Sequence, residues 1–333
     1  MRGIEEDRYW DLPLSWVSGC TPCSPGCDHC WSAAMEHRMG ARIIKGVSGS
    51  IADGTACGYE DHIPSPLTDG NRQFNGHIIT HPERLSIPLK RRKPTVFAVW
   101  NDFWHESVPD DFQYKAYDAM VERHTFLILT KRPHIAAAYY AEGKHEDLLP
   151  RDNIYHGLTV CNQAEADEKI PVFLKIPGKK FLSIEPMLGA MDLSYNRFCG
   201  RMGWGPPDPP RRGENQEERL KAQSRWVLGK IDAVILGGET GPGARPMHPE
   251  WVRSVRDQCA AAGVPFFFKG WGEWAPWGGR DCDFMYLYNC DEMDKRFQSI
   301  AMPPHVMYRV GRNKAGRLLE GRPHDDLPWR TTA

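Results

Sequence analysis

The sequence predicts an α/β fold, a partial or complete (β/α) barrel, from three recurring features. Short apolar runs are spread along the 333-residue chain, each ends at polar or glycine-rich residues, and a stretch of helical character follows. Apolar runs with little alternation are typical of strands buried on both faces, as in a parallel sheet. Parallel strands that alternate with helices build α/β barrels, whose chemistry takes place at the carboxyl ends of the strands.

Seven apolar runs are predicted as the strands of this barrel. They are residues 14–17, 95–100, 125–129, 154–160, 180–184, 233–236 and 264–268. Helices fit between these runs, and the stretch from Trp251 to Ala262 carries both boundary signals of a helix. A Pro-Glu pair precedes it and Gly263 follows it.

Three stretches are predicted as additions to one barrel domain that spans residues 1–333. Residues 45–94 are rich in Gly, Pro, His and Asp and form a long excursion before the second strand. Residues 203–225 run from proline-rich to charged, as expected of a surface insertion. Residues 271–333 form an aromatic-rich C-terminal extension.

The composition excludes several classes of protein. Lys and Arg number 42 against 43 Asp and Glu, so no bulk charge marks a nucleic-acid or membrane partner, although a local basic groove is compatible with this balance. No segment approaches the roughly 20 apolar residues of a membrane span, and the first residues lack the apolar stretch of a signal peptide. We therefore expect a cytoplasmic protein whose thiols stay reduced. In that compartment, clustered cysteines favour a metal site over a disulfide framework.

Four of the ten cysteines lie within eleven residues, in the stretch GCTPCSPGCDHCW at residues 19–31. The spacing C-x2-C-x3-C-x2-C is compact, whereas a structural zinc site usually draws its ligands from two knuckles far apart in sequence. A cubane iron–sulfur cluster is instead held by thiolates, and three from one loop leave one iron open. The residues favour the cluster, with zinc and unrelated packing cysteines as alternatives. A helix-like stretch from Trp31 to Arg38 follows at once.

Polar residues follow most of the predicted strands. Because the carboxyl ends of parallel strands meet at one end of a barrel, we expect these side chains to lie around one site. The alternative for each is a charged residue that follows a strand because loops are solvated, and Arg132 in particular could pair with a carboxylate in the barrel wall. The strand-end candidates are Asn101, Asp102, Thr130, Lys131, Arg132, Glu185, Glu239 and Lys269.

The cysteine loop, followed by a helix and an α/β barrel, resembles the radical S-adenosylmethionine (SAM) superfamily. The resemblance is closer to one branch, the phage-associated radical-SAM-like family of three-cysteine-motif proteins, whose functions are largely unassigned. Its shared motifs cover most of the chain in the same order. Besides the cysteine loop they are LTKRP at 129–133, LSIEPMLG at 182–189, GGETGPGARPMHP at 237–249, PFFFKGWGEW at 265–274 and GRNKAGRLLEGR at 311–322.

The resemblance implies a [4Fe–4S] cluster and SAM as cofactors, and reductive cleavage of SAM to a deoxyadenosyl radical that abstracts a hydrogen atom. The branch carries cysteines at the positions of Cys20, Cys27 and Cys30, whereas the superfamily spacing selects Cys23, Cys27 and Cys30. Cys20 is favoured as the third ligand, with Cys23 as the alternative. His29 matches the position beside the SAM adenine, with an ordinary loop histidine as the alternative.

The same resemblance suggests roles for the strand-end residues. Gly237, Gly238 and Glu239 are similar to the backbone turn that SAM approaches. Thr130 and Glu185 are further candidates for holding SAM, and Glu185, Lys131 and Asp102 are candidates for catalytic roles. Asn101, His105, Arg245 and Lys269 come next as contacts to SAM or substrate.

The substrate is expected to be a small molecule or a group carried by nucleic acid, such as a modified nucleobase or nucleotide in phage DNA. Trp271, Trp274 and Trp277 could stack bases near Lys269 and Arg280, or form a packed cap over the barrel. A flavodoxin or ferredoxin would supply electrons in the host cytoplasm. Two other functions stay open: a zinc-stabilised nucleic-acid-binding protein without catalysis, and a barrel that has lost its cluster and acts as a binding subunit.

Overall fold

The structure, a computed structural model, describes residues 8–44, 68, 73–141, 150–194, 227–277 and 297–330, without the side chains of 38–44. The predicted insertion at 203–225 lies outside the described residues. So do most of the excursion at 45–94 and residues 278–296 of the C-terminal extension.

The core of the fold is a curled parallel sheet of seven strands. Twelve strands are found among the described residues: β1 Leu12–Leu14, β2 Val17–Ser18, β3 Ile79–Thr80, β4 Val96–Val99, β5 Thr125–Thr130, β6 Ile154–Thr159, β7 Lys179–Ile184, β8 Ala233–Gly237, β9 Phe266–Gly270, β10 Trp274–Pro276, β11 Ser299–Met302 and β12 His305–Arg309. The sheet order is β1-β4-β5-β6-β7-β8-β9, and all neighbours run parallel. The predicted α/β class with a partial barrel is confirmed.

The first strand differs from its prediction at residues 14–17. The chain leaves the sheet after Leu14, and Val17 and Ser18 pair instead with β3 in a separate antiparallel ladder. Pro13 sits within β1, where it is tolerated because β1 is an edge strand. The apolar run correctly indicated strand structure. Its pairing partner β3 lies about 60 residues downstream, and hydrophobic periodicity does not reveal such a pairing.

Helices cover the outer face of the sheet. The described residues hold α1 Trp31–Ile44, α2 Ser86–Lys90, α3 Asp110–Asp118, α4 Pro133–Ala141, α5 Gln163–Phe173, α6 Pro249–Ala262 and α7 Arg312–Ala315. α6 ends at Gly263, whose φ of 71° is the left-handed conformation that glycine adopts at helix ends. Alternate strand residues, such as Phe126 and Ile128, pack with these helices in the larger core.

The opposite face of the sheet encloses the barrel interior. A second core cluster fills its amino-end half, with Leu127, Tyr155, Phe181 and Phe267 from four strands. The C-terminal segment closes this end, since the Trp329 ring lies 4.8 Å from Tyr155 and 5.6 Å from Phe181 between centroids. Trp329 therefore acts as a plug for the interior.

The sheet does not close between β1 and β9, its two edge strands among the described residues. The rings of Tyr9 and Phe267 span this seam, with centroids 6.0 Å apart. Beyond β9, the strands β10, β12 and β11 form a small antiparallel sheet. No helix in the described part of the chain is both long and apolar enough to span a bilayer.

Candidate active site

A cavity of about 680 Å³ lies at the carboxyl ends of the strands. Inward-facing strand residues such as Leu127, Thr159 and Ser183 form its walls, and the cysteine loop lies across it. The predicted cysteine ligands, His29 and the strand-end candidates all line this cavity, whereas His105 and Arg245 lie outside it and contact the cysteine loop. The strand-end residues, far apart in sequence, are thus brought to one site.

The cysteine loop runs from Cys20 to Cys30, between β2 and α1. Its turn is a 3-10 helix at Pro25–Cys27, and the Ser24 hydroxyl caps this turn by accepting a hydrogen bond from the Gly26 N–H at 3.1 Å. All four thiols are free and line the cavity. A fifth thiol, Cys161, is buried beneath the loop, 3.7 Å from Ser24 Oγ.

The thiols differ in their readiness to ionise. A hydrogen bond from Cys23 lowers the pKa of Cys27 to about 5, so Cys27 is the thiolate of the pair and the pKa of Cys23 is raised. Burial, and next the nearby Asp102 carboxylate, raise the pKa of Cys20 to about 11. Burial likewise raises the pKa of Cys161 to about 12. A reactive or ligating thiol must be ionised, so Cys27 is the thiol best suited to bind a metal ion or to react.

Lys131 places a positive charge among these sulfurs. Burial alone would lower its pKa, but the sulfurs of Cys27, Cys161 and Cys30 overcome that effect and raise it. Lys131 therefore stays an ammonium at neutral pH. A cation in this position offsets the charge of thiolates, or of an anionic group that they would hold.

Asp102 and Arg132 form a buried ion pair, with 2.8 Å between Arg132 Nη1 and Asp102 Oδ2. Thr130 donates to the other Asp102 oxygen at 2.6 Å. Arg132 also reaches the loop, where it donates to the Thr21 carbonyl at 2.8 Å and to the Cys20 sulfur at 3.8 Å. Arg132 thus pairs with a carboxylate of the barrel wall, which was the alternative role predicted for it. It also anchors the cysteine loop.

Asn101 and His105 extend this anchoring. Asn101 has a φ of 58°, a region that Asn tolerates better than most residues, and its side chain donates to Val17 O and accepts from Ser32 Oγ, both at 2.8 Å. His105 is buried, with Nε2 2.9 Å from Thr21 Oγ1. Their roles in the described structure are to fix the loop and the start of α1.

Glu239 and Arg245 tie the loop to the end of β8. Arg245 Nε and Nη2 lie 2.9 and 2.6 Å from the two Glu239 oxygens, a bidentate pair. Arg245 also donates to Pro25 O at 2.8 Å and pairs with Asp28 at 3.1 Å. Burial opposes ionisation of Glu239, but the Arg245 hydrogen bonds outweigh it and lower its pKa. His29 Nδ1 contacts the same carboxylate at 3.2 Å.

The two glycines before Glu239 allow close packing. A side-chain Cβ on Gly238 would lie 2.1 Å from the Trp271 carbonyl oxygen, so no other residue fits there without a shift. A Cβ on Gly237 would lie 3.1 Å from Glu185 Oε1, at the cavity wall. The motif is therefore required by backbone packing, and it leaves the cavity open beside Glu185.

Glu185 and Lys269 form an ion pair in the cavity wall, 2.7 Å apart. Ser183 donates to Glu185 at 3.2 Å, and the Lys269 ammonium lies 5.8 Å from the centroid of the Tyr9 ring. Burial, followed by the Glu185 carboxylate, raises the pKa of the Tyr9 phenol well above 10. Glu185, Lys269 and Tyr9 thus present a carboxylate, a cation and a neutral hydroxyl to the interior.

Several lining residues were missed by the sequence analysis. Arg8, Trp10 and Trp100 reach the cavity from the N-terminal segment and the end of β4, and Arg312 and Arg317 from the C-terminal segment. The predicted aromatic candidates lie elsewhere. Trp271 and Trp274 are 1% and 4% exposed, donate to the backbone of Leu318 and Ala244, and form the packed cap that was the alternative to base stacking. Arg280 lies outside the described residues.

A comparison with protein-family models gave one match. The model described as "Protein of unknown function (DUF5131)" aligns with residues 8–328. The chain belongs to the DUF5131 family. No curated protein and no solved structure matched this DUF5131 chain.

Among the described side chains, no three or more His, Cys, Asp or Glu residues form a group that could hold a metal ion. One zinc ion needs all of its ligands about 2.0–2.3 Å from a single point. A cubane cluster makes a different demand, because thiolates bind several iron atoms of one larger object.

Proposed function

We propose that this DUF5131 protein is a radical SAM enzyme. The observation that carries the proposal is the cysteine loop itself: four free thiols of one loop line a cavity at the carboxyl ends of a curled parallel sheet. Enzymes built on such barrels hold their reacting groups at this end. The resemblance of the loop to the radical SAM motif supplies the cofactors, a [4Fe–4S] cluster and SAM.

The donor set suits such a cluster. The thiols are unpaired, Cys27 has a pKa of about 5, and Lys131 brings positive charge to the sulfurs. Cys27 and Cys30 would hold two irons, with Cys20 or Cys23 as the third ligand. When bound, the cluster and SAM would supply one-electron reductive cleavage of SAM and hydrogen-atom abstraction from the substrate, with a reduced flavodoxin or ferredoxin as the electron donor.

The residues of the chain orient and enclose this chemistry. Arg132 and Arg245 hold the cysteine loop from two sides, through the Thr21 and Pro25 carbonyl oxygens. Glu185 and Lys269 are placed to hold polar groups of SAM or substrate, and Lys131 to offset negative charge at the sulfurs. Asp102 acts through Arg132 and Thr130 as a positioning residue. Whether the product is that of an isomerase, a lyase or a transferase depends on the substrate.

Anaerobic reconstitution with iron and sulfide tests the proposal. We expect a brown protein with about four iron and four sulfide per chain. Cys27→Ala and Cys30→Ala should lose the iron, whereas Cys259→Ala, at a buried cysteine of α6, should keep it. A colourless protein that retains one zinc ion instead would support the zinc-binding alternative and overturn the proposal.

The same experiment identifies the third ligand. Cys20→Ala and Cys23→Ala differ in their surroundings, since Arg132 donates to the Cys20 sulfur and Cys23 donates to Cys27. We expect Cys20→Ala to lose the cluster and Cys23→Ala to retain it. The reverse pattern would assign Cys23, in line with the superfamily spacing.

A further inference from the structure

The open seam between β1 and β9 carries cations that lie over aromatic rings. Arg8 Cζ is 5.0 Å from the centroid of the Trp10 ring, and Lys269 Nζ is 5.8 Å from that of Tyr9. All four residues line the cavity. The N-terminal segment and β9 therefore supply rings and positive charge together at the place where the barrel is open.

Three tryptophans continue this surface toward the cysteine loop. The Trp100 ring packs edge-on against Trp10, with centroids 5.7 Å apart, and against Trp31, at 4.8 Å. Trp31 is 49% exposed although it is one of the largest apolar side chains, and it directly follows Cys30. An exposed indole on the wall of a cavity is a ready surface for a flat ring.

The charge of the cavity favours an anionic ligand. Among its described lining residues are six Lys or Arg side chains against three Asp or Glu side chains, although the whole chain has a formal charge of -1. Three of these cations are in ion pairs, Arg132 with Asp102, Lys269 with Glu185 and Arg317 with Asp325. Two of the cations, Arg312 and Arg317, come from the C-terminal segment, and Arg312 is exposed. Arg317 Cζ also lies 5.2 Å from the centroid of the Phe267 ring at the seam.

We propose that this seam is the substrate site and that it binds a nucleotide. The base would stack against the wall of Trp10, Trp31 and Trp100, and the phosphate would contact the cations at the seam, with Arg312 the most accessible. Stacking accepts any base because every base has a π face, and arginine suits phosphate oxygens. SAM carries one carboxylate and no phosphate, and we assign the cations in excess of that carboxylate to a second ligand. The assignment of this nucleotide as substrate rests on the proposed function.

Equilibrium dialysis of the full chain, without added iron or sulfide, tests the site. The labelled probes are the four deoxynucleoside monophosphates, deoxyadenosine, a short single-stranded oligonucleotide and SAM. We expect the phosphate-bearing probes to bind more tightly than deoxyadenosine. Binding of the oligonucleotide alone would indicate a nucleic-acid-borne substrate, and equal binding of the monophosphates a free nucleotide.

Two variants locate the binding. Trp31→Ala should weaken nucleotide binding roughly tenfold, with recovery in Trp31→Phe, because a phenyl ring still stacks. Arg312→Ala should weaken it roughly fivefold and lower the salt dependence by about one counterion for the oligonucleotide. Leu89→Ala, at a side chain that is also 49% exposed, and Arg92→Ala, at an exposed arginine outside the cavity, are the matched controls and should bind as the parent does.

Several results would overturn the seam proposal: no binding of phosphate-bearing probes, unchanged binding in both variants, or a Trp31→Ala variant that loses affinity for SAM alone. These results are separate from a failure of the proposed function. The dialysis needs no cluster, so a chain that binds nucleotides but no iron would contradict the radical SAM proposal and leave the nucleotide site standing. A chain that takes up its full iron content but binds no nucleotide would contradict the nucleotide site and leave the radical SAM proposal standing.

Discussion

The two ends of the barrel interior are built from the same strands and have opposite chemistry. At the amino end, Tyr155, Phe181 and Phe267 pack with the C-terminal segment in a cluster of rings. At the carboxyl end, the next inward positions of two of these strands are Ser183 and Lys269, which line the cavity. Along each of these two strands, the inward-facing side chain is an aromatic ring at one position and a polar group two residues later.

This difference separates the sources of stability and function. Rings at the amino end bury apolar surface and close the interior, whereas the carboxyl end holds ion pairs, thiols and exposed indoles around a cavity. Substitutions of amino-end residues that do not line the cavity, such as Tyr155 and Trp329, should therefore change the free energy of unfolding without changing what the cavity binds. Substitutions at the carboxyl end should change what the cavity binds, and they should also change the free energy of unfolding where they remove a buried charge.

The largest expected effect on stability is at such a buried charge. Asp102→Ala removes the buried carboxylate of the pair and leaves Arg132 with one remaining carboxylate partner, the exposed Glu106, 2.7 Å from its Nε. Breaking a buried pair costs about 3–5 kcal/mol. Urea unfolding of parent and variant measures the difference. Lys115→Ala, which removes the exposed pair with Asp111, is the control and should cost less than about 1 kcal/mol. Equal losses in the two variants would contradict the burial of the Asp102 pair.

At the opposite end, Trp329→Ala should remove the plug. The variant loses two ring contacts and the hydrogen bond from Trp329 Nε1 to the Tyr9 carbonyl, at 2.9 Å, so we expect a cost of about 3 kcal/mol in urea unfolding. Iron content after reconstitution should match the parent. A variant of unchanged stability that fails to take up iron would reverse the roles given to the two ends.

A smaller loss is expected from overfilling the interior. A Cβ on Gly157 would lie 2.2 Å from the Phe181 ring, so Gly157→Ala should lower the free energy of unfolding by about 2 kcal/mol. Gly189→Ala is the matched control, since its Cβ would meet Asn162 at an ordinary 3.6 Å. A Gly157→Ala variant as stable as the control would mean that the Phe181 ring moves aside freely.

The smallest effect depends on pH and lies in the helix-covered outer layer. His156 contacts the hydroxyls of Tyr117 and Tyr140, and burial lowers its pKa to about 3. Because the unfolded histidine takes up its proton near pH 6.5, this residue makes the parent lose stability as the pH falls from about 6.5 toward 3. The loss approaches 1.4 kcal/mol per pH unit.

His156→Gln should lack that contribution. Comparison of urea unfolding for parent and variant at pH 6.5 and 5 cancels the other titrating groups, which both proteins share. We expect the parent to lose more stability over this interval by about 1–2 kcal/mol. The same loss in both proteins would show that His156 is already charged in the folded state.

The sequence predicted the parts of this architecture that depend on local pattern. Apolar runs located the seven parallel strands, with an error at the first, and the rule that strand ends meet brought together residues as distant as Asp102 and Lys269. The cysteine loop was visible as a motif because its residues are contiguous. These signals need no knowledge of how the termini pack.

The residues and side-chain pairings that were missed depend on contacts between distant parts of the chain. Trp10 and Arg312 reach the same cavity only because the two ends of the chain meet at the open seam, and neither follows a predicted strand. The bidentate pair of Glu239 and Arg245 is set by the turn after β8, which no apolar periodicity encodes. Tertiary closure, rather than local propensity, determines these positions.

Cleavage of SAM is the most direct test of the central proposal. The parent chain, reconstituted with iron and sulfide and reduced with dithionite, should release deoxyadenosine and methionine in equal amounts, as measured by liquid chromatography. Cys27→Ala, treated in the same way, should release neither. A parent chain that carries its full iron content yet leaves SAM intact, or a Cys27→Ala variant that cleaves it as well as the parent, would contradict the assignment of a radical SAM enzyme.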